Sequence, residues 1–374
     1  MRVIVTGGGT SGHVNPALAI ANTIKKNIPD SEIIFVGTNR GIENKLVPKA
    51  GYKLYHVEVR GIRRSLSLSN IKSLYLAVTS PIKAKKLIRK FKPDIVIGTG
   101  GYVCWPVMKA AAELGIPTAL HESNSIPGVA IKMLAKHVDR IFVNFEATKG
   151  KFPEQYKDKI IRVGNPLRPE FLTLDSKITR DNLGISGKYE KFILSCGGSM
   201  GAERINEAVL ALMRDYTSKH PEILHLHATG SIEYEASKAM FREYSLEAYN
   251  NLRLVEYIYD MPEQMAAADI VINRAGAMTL SELAILKKRA ILIPSPNVTD
   301  NHQYKNAHEL ERAGAAVLIE ESNLTVESLR EAVEKLLFDP KAEAMCENIA
   351  TFACPDAEKK IFDDITELVK NKKK

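Results

Sequence analysis

Short apolar runs alternate along the chain with longer segments whose apolar residues recur at helical spacing. In the first half the runs are VIV, EIIFVG, DIVIG, TALHE and RIFVN, at residues 3–5, 32–37, 94–98, 118–122 and 140–144. The helical segments lie around residues 16–26, 71–90, 103–113 and 128–136. Because buried parallel strands are continuous apolar runs joined by helices, this pattern predicts a parallel sheet covered on both faces.

The second half repeats the alternation after GNPLRPEF at residues 164–171, a join that carries two prolines. Its apolar runs lie at residues 192–196, 223–230, 252–258, 269–273, 290–296 and 316–322. A chain of 374 residues is too long for one ordinary core. We predict an α/β fold of two doubly wound, Rossmann-like domains, residues 1–165 and 166–354, with a cleft between them. A C-terminal helix at about 355–370 is expected to pack back on the first domain.

A glycine-rich loop follows the first strand and matches G-x-G-x-x-G at Gly7, Gly9 and Gly12. Such a loop leaves backbone N–H groups at a helix N-terminus, where phosphates bind. A dinucleotide site also needs an acidic residue at the end of the second strand, and residues 37–40 contain none. Arg40 could instead hold a 2′-phosphate, so an NADP-dependent oxidoreductase remains an alternative.

Two residues are candidates for a general base. His13 ends the glycine loop, where a neutral imidazole is the usual base and a positive helix end disfavours the imidazolium. Glu122 follows a strand in HESNSIPG, and both it and Asn124 can point into the cleft. A buried carboxylate tied to backbone N–H groups is the alternative interpretation of Glu122. The sequence does not separate the two.

Polar motifs also follow the strands of the second half. GGSMGAERIN at residues 197–206 forms a second anion-binding turn with Ser199. In NRAGAMTLSE we expect Thr279, Ser281 and Glu282 in the first helical turn, where Glu282 either accepts hydrogen bonds from a ribose diol or stabilises the helix dipole. A later loop carries four polar residues that suit a sugar ring, namely Asp300, His302, Gln303 and Asn306.

Charge is divided unevenly along the chain. Residues 1–165 contain 26 Lys and Arg against 11 Asp and Glu, whereas the remainder contains 26 against 33. No acidic residue lies between Glu58 and Asp94, and the basic residues there are Arg60, Arg63, Arg64, Lys72, Lys83, Lys85, Lys86, Arg89, Lys90 and Lys92. Within residues 70–92 these cations surround Leu74, Leu76, Val78, Ile82, Leu87 and Ile88. A basic amphipathic segment of this kind binds anionic membranes, although a packed helix with a solvated lysine face has the same pattern.

Composition narrows the chemistry further. The sequence has no D-x-D motif and no His/Cys/Asp cluster at metal-ligand spacing, so helix ends and cations such as Arg168 are expected to neutralise a diphosphate without a metal. The four cysteines form no C-x-x-C pair, which is typical of buried thiols in a reducing cytoplasm. We find neither a secretory signal nor the ~20-residue apolar run that spans a bilayer.

Seven motifs together resemble the MurG family, the UDP-N-acetylglucosamine:undecaprenyl-pyrophosphoryl-MurNAc-pentapeptide N-acetylglucosaminyltransferases. They cover roughly residues 1–310 in the family's order: GGTSGHVNPALAIA, GGYVCWPV, HESNSIPG, GNPLR, GGSMGAERIN, DMPEQMAAADIVINRAGAMTLSE and HQYKNA. The family usually has other residues at five positions, Ser11, Cys104, Trp105, Ser123 and Met200. The resemblance implies a GT-B fold and a UDP-GlcNAc donor bound mainly by the second domain.

Site residues follow from the resemblance as expectations. Ile258 would meet the uracil through its backbone, Glu282 the ribose, and Gln303, with His302, the GlcNAc hydroxyls. The phosphates would contact Ser199 and the run Ala277, Met278, Thr279, Leu280 and Ser281. The first domain would contribute Thr10, Ser11, Gly12 and Asn124, and Arg168 matches the family's arginine after G-N-P.

The resemblance implies an inverting transfer of GlcNAc to the C4 hydroxyl of MurNAc on lipid I, without a cofactor, in bacterial peptidoglycan synthesis. It places the enzyme peripherally on the cytoplasmic face of the cell membrane. Another GT-B enzyme that uses UDP-GlcNAc, with a different acceptor or as a 2-epimerase, remains an alternative. A nucleic-acid-binding protein is less favoured, because the basic residues are not interleaved with exposed aromatic residues, and we expect no nucleic acid partner.

Overall fold

A computed structural model describes residues 1–59, 69–198 and 200–372, with the backbone alone for residues 69–78. Arg60, Arg63, Arg64 and Ser199 lie outside the described residues, as do the side chains of Lys72, Leu74, Leu76 and Val78. The chain forms two compact units. The first unit is Met1–Leu167 together with Cys354–Lys374, and the second unit is Arg168–Ala353.

The first unit is built on a parallel sheet. Its strands in chain order are β1 (Arg2–Thr6), β2 (Glu32–Gly37), β3 (Lys53–His56), β4 (Ile95–Gly98), β5 (Thr118–Glu122), β6 (Arg140–Val143) and β7 (Ile160–Arg162). The spatial order is β3-β2-β1-β4-β5-β6-β7, and every neighbouring pair is parallel. Its helices are α1 (Ser11–Asn27), α2 (Glu43–Lys49), α3 (Ser69–Phe91), α4 (Cys104–Glu113) and α5 (Val129–Leu134).

The second unit repeats this arrangement with a 6-stranded sheet. Its strands are β8 (Lys191–Cys196), β9 (Ile223–Ala228), β10 (Leu252–Val255), β11 (Ile270–Asn273), β12 (Arg289–Leu292) and β13 (Val317–Leu318), in the spatial order β10-β9-β8-β11-β12-β13. Its helices are α6 (Ser176–Asn182), α7 (Glu203–Asp215), α8 (Tyr234–Glu243), α9 (Met261–Ala267), α10 (Ala277–Ile285), α11 (His302–Arg312), α12 (Val326–Phe338) and α13 (Ala344–Ala350). The predicted α/β fold of two doubly wound sheets is therefore confirmed.

The last helix, α14 (Ala357–Lys372), belongs to the first unit. It buries Ile361 and Ile365 in the same apolar cluster as Ile20 and Ile24 of α1. A guanidinium–carboxylate pair, Nε of Arg140 to Oδ1 of Asp364 at 3.2 Å, joins it to β6. The core of this unit is thus built from both ends of the chain.

The sequence pattern missed β3 and β7 and extended four later strands too far, among them β9, which ends at Ala228 rather than residue 230. β3 (KLYH) is largely exposed and β7 has three residues, so neither shows an apolar run. β12 ends at Leu292 rather than residue 296, because Pro294 and Pro296 cannot donate to the ladder. The predicted strands to residues 258 and 322 likewise end at Val255 and Leu318.

The first helix begins earlier than the predicted residue 16. α1 starts at Ser11, and its buried residues Val14, Ala17, Ala21 and Ile24 form one apolar stripe. The residues Ser11 to His13 therefore form its first turn. No α-helix in the described part of the chain is long and apolar enough to cross a membrane.

Candidate active site

Both sheets reverse their strand order at one point, between β1 and β4 in the first unit and between β8 and β11 in the second. In open α/β sheets, ligands bind beyond the carboxyl ends of the strands at such a reversal. A glycine-containing motif of the sequence follows each of these four strands. Each unit therefore has its own candidate binding edge.

The glycine loop after β1 packs against the glycine turn after β4. Gly100 and Gly101 have φ values of +112° and +83°, a region that favours glycine. A Cβ atom on Gly100 would lie 2.5 Å from Cδ2 of His13, and one on Gly101 would collide with the carbonyl oxygen of Gly8. The two turns approach each other this closely because neither position carries a side chain.

The N-terminus of α1 presents exposed residues at this edge. Thr10 is the N-cap, its side chain makes no capping hydrogen bond, and the first turn contains no acidic residue. Ser11 and Gly12 are also exposed. Such a helix end attracts negative charge, which suits the expected approach of Thr10, Ser11 and Gly12 to the donor. That role remains a prediction.

The imidazole of His13 is oriented by the glycine loop. Its Nδ1 lies 3.1 Å from the carbonyl oxygen of Gly8 and 3.3 Å from Oγ1 of Thr10. Because a carbonyl accepts and cannot donate, the contact with Gly8 assigns the hydrogen of the neutral ring to Nδ1. Nε2 then carries the lone pair that a general base needs. The hydroxyl of Thr99 donates to the backbone carbonyl of His13 at 2.7 Å.

A buried carboxylate that we did not single out in the sequence, Glu43, holds the same loop. Its Oε2 accepts the N–H of Gly9 at 2.9 Å, and its Oε1 accepts the N–H and hydroxyl of Thr38 at 2.9 and 2.7 Å. The sequence interpretation looked for a carboxylate in residues 37–40, directly at the end of β2. The carboxylate instead reaches that point from α2 and binds backbone.

The carboxylate of Glu122 also accepts hydrogen bonds from backbone N–H groups. Its side chain is 4% exposed, and it accepts the N–H groups of Asn124 and Gly128, each at 2.9 Å. The side-chain amide Nδ2 of Asn124 also donates to Glu122, at 3.1 Å from the Oε1 atom that accepts the N–H of Asn124. Burial raises the pKa of Glu122, and although these hydrogen bonds lower it, the net effect is a raised pKa. The geometry favours a carboxylate that fixes the turn before α5, so His13 is the better-placed base.

In the second unit, α10 begins at Ala277, so Ser281 and Glu282 lie in its second turn and not in the expected first turn. Gly276 is the N-cap of this helix. The N–H of Leu280 donates to Gly276 and the hydroxyl of Ser281 donates to Ala277 at 3.2 Å. These contacts lie within the helix and do not favour phosphate binding by Leu280 or Ser281. The amides of the first turn, at Ala277, Met278 and Thr279, are the better phosphate candidates.

Glu282 lies near Arg168, and their charges interact. Burial raises the pKa of Glu282 to about 7, and the Arg168 guanidinium acts against this rise. Arg168 itself lies over the ring of Phe171, 5.1 Å from its centroid. The structure therefore brings together the glutamate that the resemblance assigned to the ribose and the arginine that we expected to neutralise the diphosphate.

The expected uracil and sugar residues occupy two further loops of this unit. Ile258 is buried after β10, whereas its chain neighbours Tyr257 and Tyr259 are exposed and their ring centroids lie 5.0 Å apart. Gln303, in the first turn of α11, accepts the N–H of Ser295 through Oε1 at 2.9 Å. In the same turn, Nδ1 of His302 lies 2.9 Å from the carbonyl oxygen of Thr299.

Two other polar residues of this segment have structural contacts. Asp300 adopts a positive φ of 55° in the loop before α11. Asn306 is buried, and its Nδ2 donates to the carbonyl oxygen of Ala275 at 3.4 Å, which ties α11 to the loop before α10. The sugar-binding role that we expected for this loop remains a prediction for all four residues.

A buried set of hydrogen bonds anchors the turn after β8. The hydroxyl of Ser195 lies 3.0 Å from Nε2 of His225 and 2.9 Å from Nδ1 of His227. Nε2 of His227 lies 3.1 Å from Oδ1 of Asn206, whose Nδ2 donates to the carbonyl oxygen of Thr229 at 3.0 Å. Burial lowers the pKa of His227 to about 4, so the ring is neutral at physiological pH. Asn206 thereby fixes the first turn of α7 against β9, a role with no signal in the sequence.

Comparison with known proteins identifies the family. Residues 3–143 match the glycosyltransferase family 28 N-terminal domain, and residues 192–361 match the glycosyltransferase family 28 C-terminal domain.

Within the described residues, no group of three or more His, Cys, Asp and Glu side chains could hold a metal ion.

Relatives and solved structures agree with these domains. The chain is 43% identical over 373 residues to the UDP-N-acetylglucosamine–N-acetylmuramyl-(pentapeptide) pyrophosphoryl-undecaprenol N-acetylglucosamine transferase of Acetivibrio thermocellus, covering 100% of this chain and 99% of the relative. It is similar to the crystal structure of Acinetobacter baumannii MurG, with a TM-score of 0.79, 26% identity and coverage of 98% and 99%. The UDP-GlcNAc 2-epimerase of Neisseria meningitidis, solved with UDP-GlcNAc, has a TM-score of 0.63 at 17% identity, with coverage of 98% and 100%, and shares the fold alone.

The two Rossmann-like units are those of the GT-B fold, and the expected family resemblance is confirmed over the full length of the chain. An NADP-dependent oxidoreductase is therefore no longer needed to explain the glycine loop. The chain belongs to the MurG family, the UDP-N-acetylglucosamine–N-acetylmuramyl-(pentapeptide) pyrophosphoryl-undecaprenol N-acetylglucosamine transferases.

Proposed function

We propose that this protein transfers GlcNAc from UDP-GlcNAc to the C4 hydroxyl of MurNAc on undecaprenyl-pyrophosphoryl-MurNAc-pentapeptide, lipid I, and so forms lipid II for peptidoglycan. The names of the relatives supply the donor and the acceptor. The observation that carries the chemistry is the contact of His13 Nδ1 with the Gly8 carbonyl at 3.1 Å. It assigns the ring hydrogen to Nδ1 and so leaves the lone pair of the neutral ring on Nε2.

The reaction is a single displacement at the anomeric carbon. His13 Nε2 takes the proton of the C4 hydroxyl while that oxygen bonds to the anomeric carbon. The bond from this carbon to the diphosphate oxygen breaks, and UDP leaves with the electron pair, so the configuration is inverted. The transition state has oxocarbenium character, as in other glycosyl transfers.

The second unit stabilises the departing UDP. The first-turn amides of α10 and the guanidinium of Arg168 face developing negative charge without any reorganisation. Glu282 accepts hydrogen bonds from the ribose hydroxyls, and the backbone at Ile258 contacts the uracil. Gln303, with His302, contacts the hydroxyls of the transferred sugar.

The membrane-bound acceptor requires a surface that reaches the lipid, and we assign it to α3. Lys83, Lys86, Arg89 and Lys90 are exposed beside Ile82, which is 63% exposed. On the opposite side of the helix Ile88, which we had grouped with the membrane-facing residues, is 1% exposed in the core. The described part of α3 thus has an apolar face packed inward and a basic face outward.

The function is tested by UDP release from UDP-GlcNAc with and without a short-chain lipid I analogue. We expect release to require the analogue and to yield a GlcNAc–MurNAc product, because the sugar leaves UDP only when a hydroxyl attacks. The measurement is a coupled UDP assay with mass spectrometry of the product. Conversion of UDP-GlcNAc alone to its 2-epimer, or transfer to another acceptor only, would contradict the proposal.

Replacing His13 with alanine should lower kcat by roughly 10²-fold or more, the usual contribution of a general base. The KM for UDP-GlcNAc should remain within about threefold, because the base contacts the acceptor hydroxyl. Steady-state kinetics with the lipid I analogue measure both. Asn27→Ala, at the opposite end of the same helix, is the control. A near-normal kcat in His13→Ala would transfer the role of base to another residue.

Affinity for UDP-GlcNAc should fall as the pH is lowered through 7. Glu282 has a pKa raised to about 7, so it is a carboxylate above that pH and loses an acceptor for the ribose hydroxyls below it. From pH 8 to pH 6 the dissociation constant should increase by about tenfold, measured by calorimetry. Glu282→Gln should bind weakly and show no such slope. A wild-type affinity independent of pH would argue against a ribose contact.

The basic face of α3 should bind anionic vesicles. At low salt the protein should co-sediment with phosphatidylglycerol vesicles, and the triple variant Lys83→Gln, Lys86→Gln, Lys90→Gln should bind at least about tenfold more weakly, since each well-placed cation contributes ~1 kcal/mol. The control has the same charge change in the second unit, at exposed Lys188, Lys219 and Lys341. Equal losses in both variants would mean a general charge effect and would exclude this face.

A further inference from the structure

One peptide group connects two ionisable side chains in the first unit. The Gly8–Gly9 peptide donates its N–H to Oε2 of Glu43 at 2.9 Å. The carbonyl of the same peptide lies 3.1 Å from Nδ1 of His13. Since a peptide group is planar and rigid, whatever fixes its N–H also fixes the direction of its carbonyl. Glu43 and His13 are therefore linked through a single planar unit.

Glu43 is a fully buried and ionised partner in this link. Its side chain is 0% exposed. Burial raises the pKa of Glu43, but the hydrogen bonds from Gly9 and Thr38 outweigh burial and the net pKa is lowered. The group is a carboxylate at neutral pH, and hydrogen bonds to a charged acceptor are roughly twice as strong as neutral ones.

Packing prevents the peptide from turning. A Cβ atom on Gly8 would lie 2.5 Å from Oε1 of Glu43, and Gly101 lies directly against the carbonyl oxygen of Gly8. On the other side, Gly100 leaves room for the ring of His13. The peptide therefore has one orientation, with its N–H on the carboxylate and its carbonyl on the imidazole.

We propose that Glu43 is a positioning residue that acts on His13 through the Gly8–Gly9 peptide and selects the Nδ1–H tautomer. The carboxylate orients the peptide and polarises it, which makes the Gly8 oxygen a stronger acceptor for Nδ1–H. The proton acceptor of the ring is then Nε2. The arrangement resembles a carboxylate bound directly to a catalytic histidine, with a peptide inserted between the two groups.

The tautomer is measured by NMR of the full-length protein labelled with 15N-histidine, without substrate, at a pH where the ring is neutral. Wild type should show His13 mainly as Nδ1–H, assigned by its absence in His13→Ala. In Glu43→Gln the share of Nε2–H should rise to the major form, because a side-chain amide cannot accept from Gly9 and Thr38 as the carboxylate does.

Thr38→Val is the matched control. It removes the hydroxyl that donates to Oε1 at 2.7 Å, but it leaves the carboxyl group of Glu43 in place with its bonds from the N–H groups of Gly9 and Thr38. It should keep the Nδ1–H tautomer. If wild-type His13 is mainly Nε2–H, the proposal is overturned by that measurement alone. The test therefore does not depend on whether the Glu43→Gln protein folds. Retention of Nδ1–H in folded Glu43→Gln would overturn it as well.

The kinetic consequence rests on the proposed function. Glu43→Gln should lower kcat by roughly tenfold or more with the KM for UDP-GlcNAc within about twofold, whereas Thr38→Val should change neither by more than about threefold. A general loss of stability would not produce this split. If wild type fails to use the lipid I analogue, the proposed function is wrong while the tautomer result stands. If activity is present and the tautomer is Nε2–H, the inference alone is wrong.

Discussion

The direction of parallel strands governs this molecule. Because all neighbouring strands of each sheet run the same way, the loops that follow them emerge at one edge, and the reversal of strand order makes two of these loops diverge. The glycine motifs after β1 and β4 and those after β8 and β11 are the loops at these two reversals. Residues far apart in the chain, such as His13 and Gly100, meet for this reason.

Two buried carboxylates, Glu43 and Glu122, and one half-buried carboxylate, Glu282, show how surroundings decide what a glutamate does. Glu43 receives three hydrogen bonds, and its pKa is lowered despite burial. Glu122 also receives backbone hydrogen bonds, but burial dominates and its pKa is raised. Burial raises the pKa of Glu282 to about 7, although the positive charge of Arg168 acts in the opposite direction. The protonation state of Glu282 therefore responds to ligand and to pH near neutrality.

The sequence was sufficient to predict the two parallel sheets and the motifs at their edges. Buried parallel strands are continuous apolar runs, and glycine-rich turns can be recognised from their residue types. It was insufficient where an element has no apolar run, as in β3 and β7, and where a helix starts on polar residues, as α1 does at Ser11. Glu43 was missed for a different reason. Its effect depends on the folding of α2 over the end of β2, a contact that no local spacing encodes.

The placement of α14 has a consequence for how the protein is made. Ile361 and Ile365 complete the core that Ile20 and Ile24 begin, so the first unit is discontinuous in the chain. The second unit is continuous and has all its residues as soon as Ala353 has been synthesised. Domains fold as units during synthesis. The half that is translated first therefore completes its core last, because the apolar surface that α14 covers has no partner helix until the final residues have been synthesised.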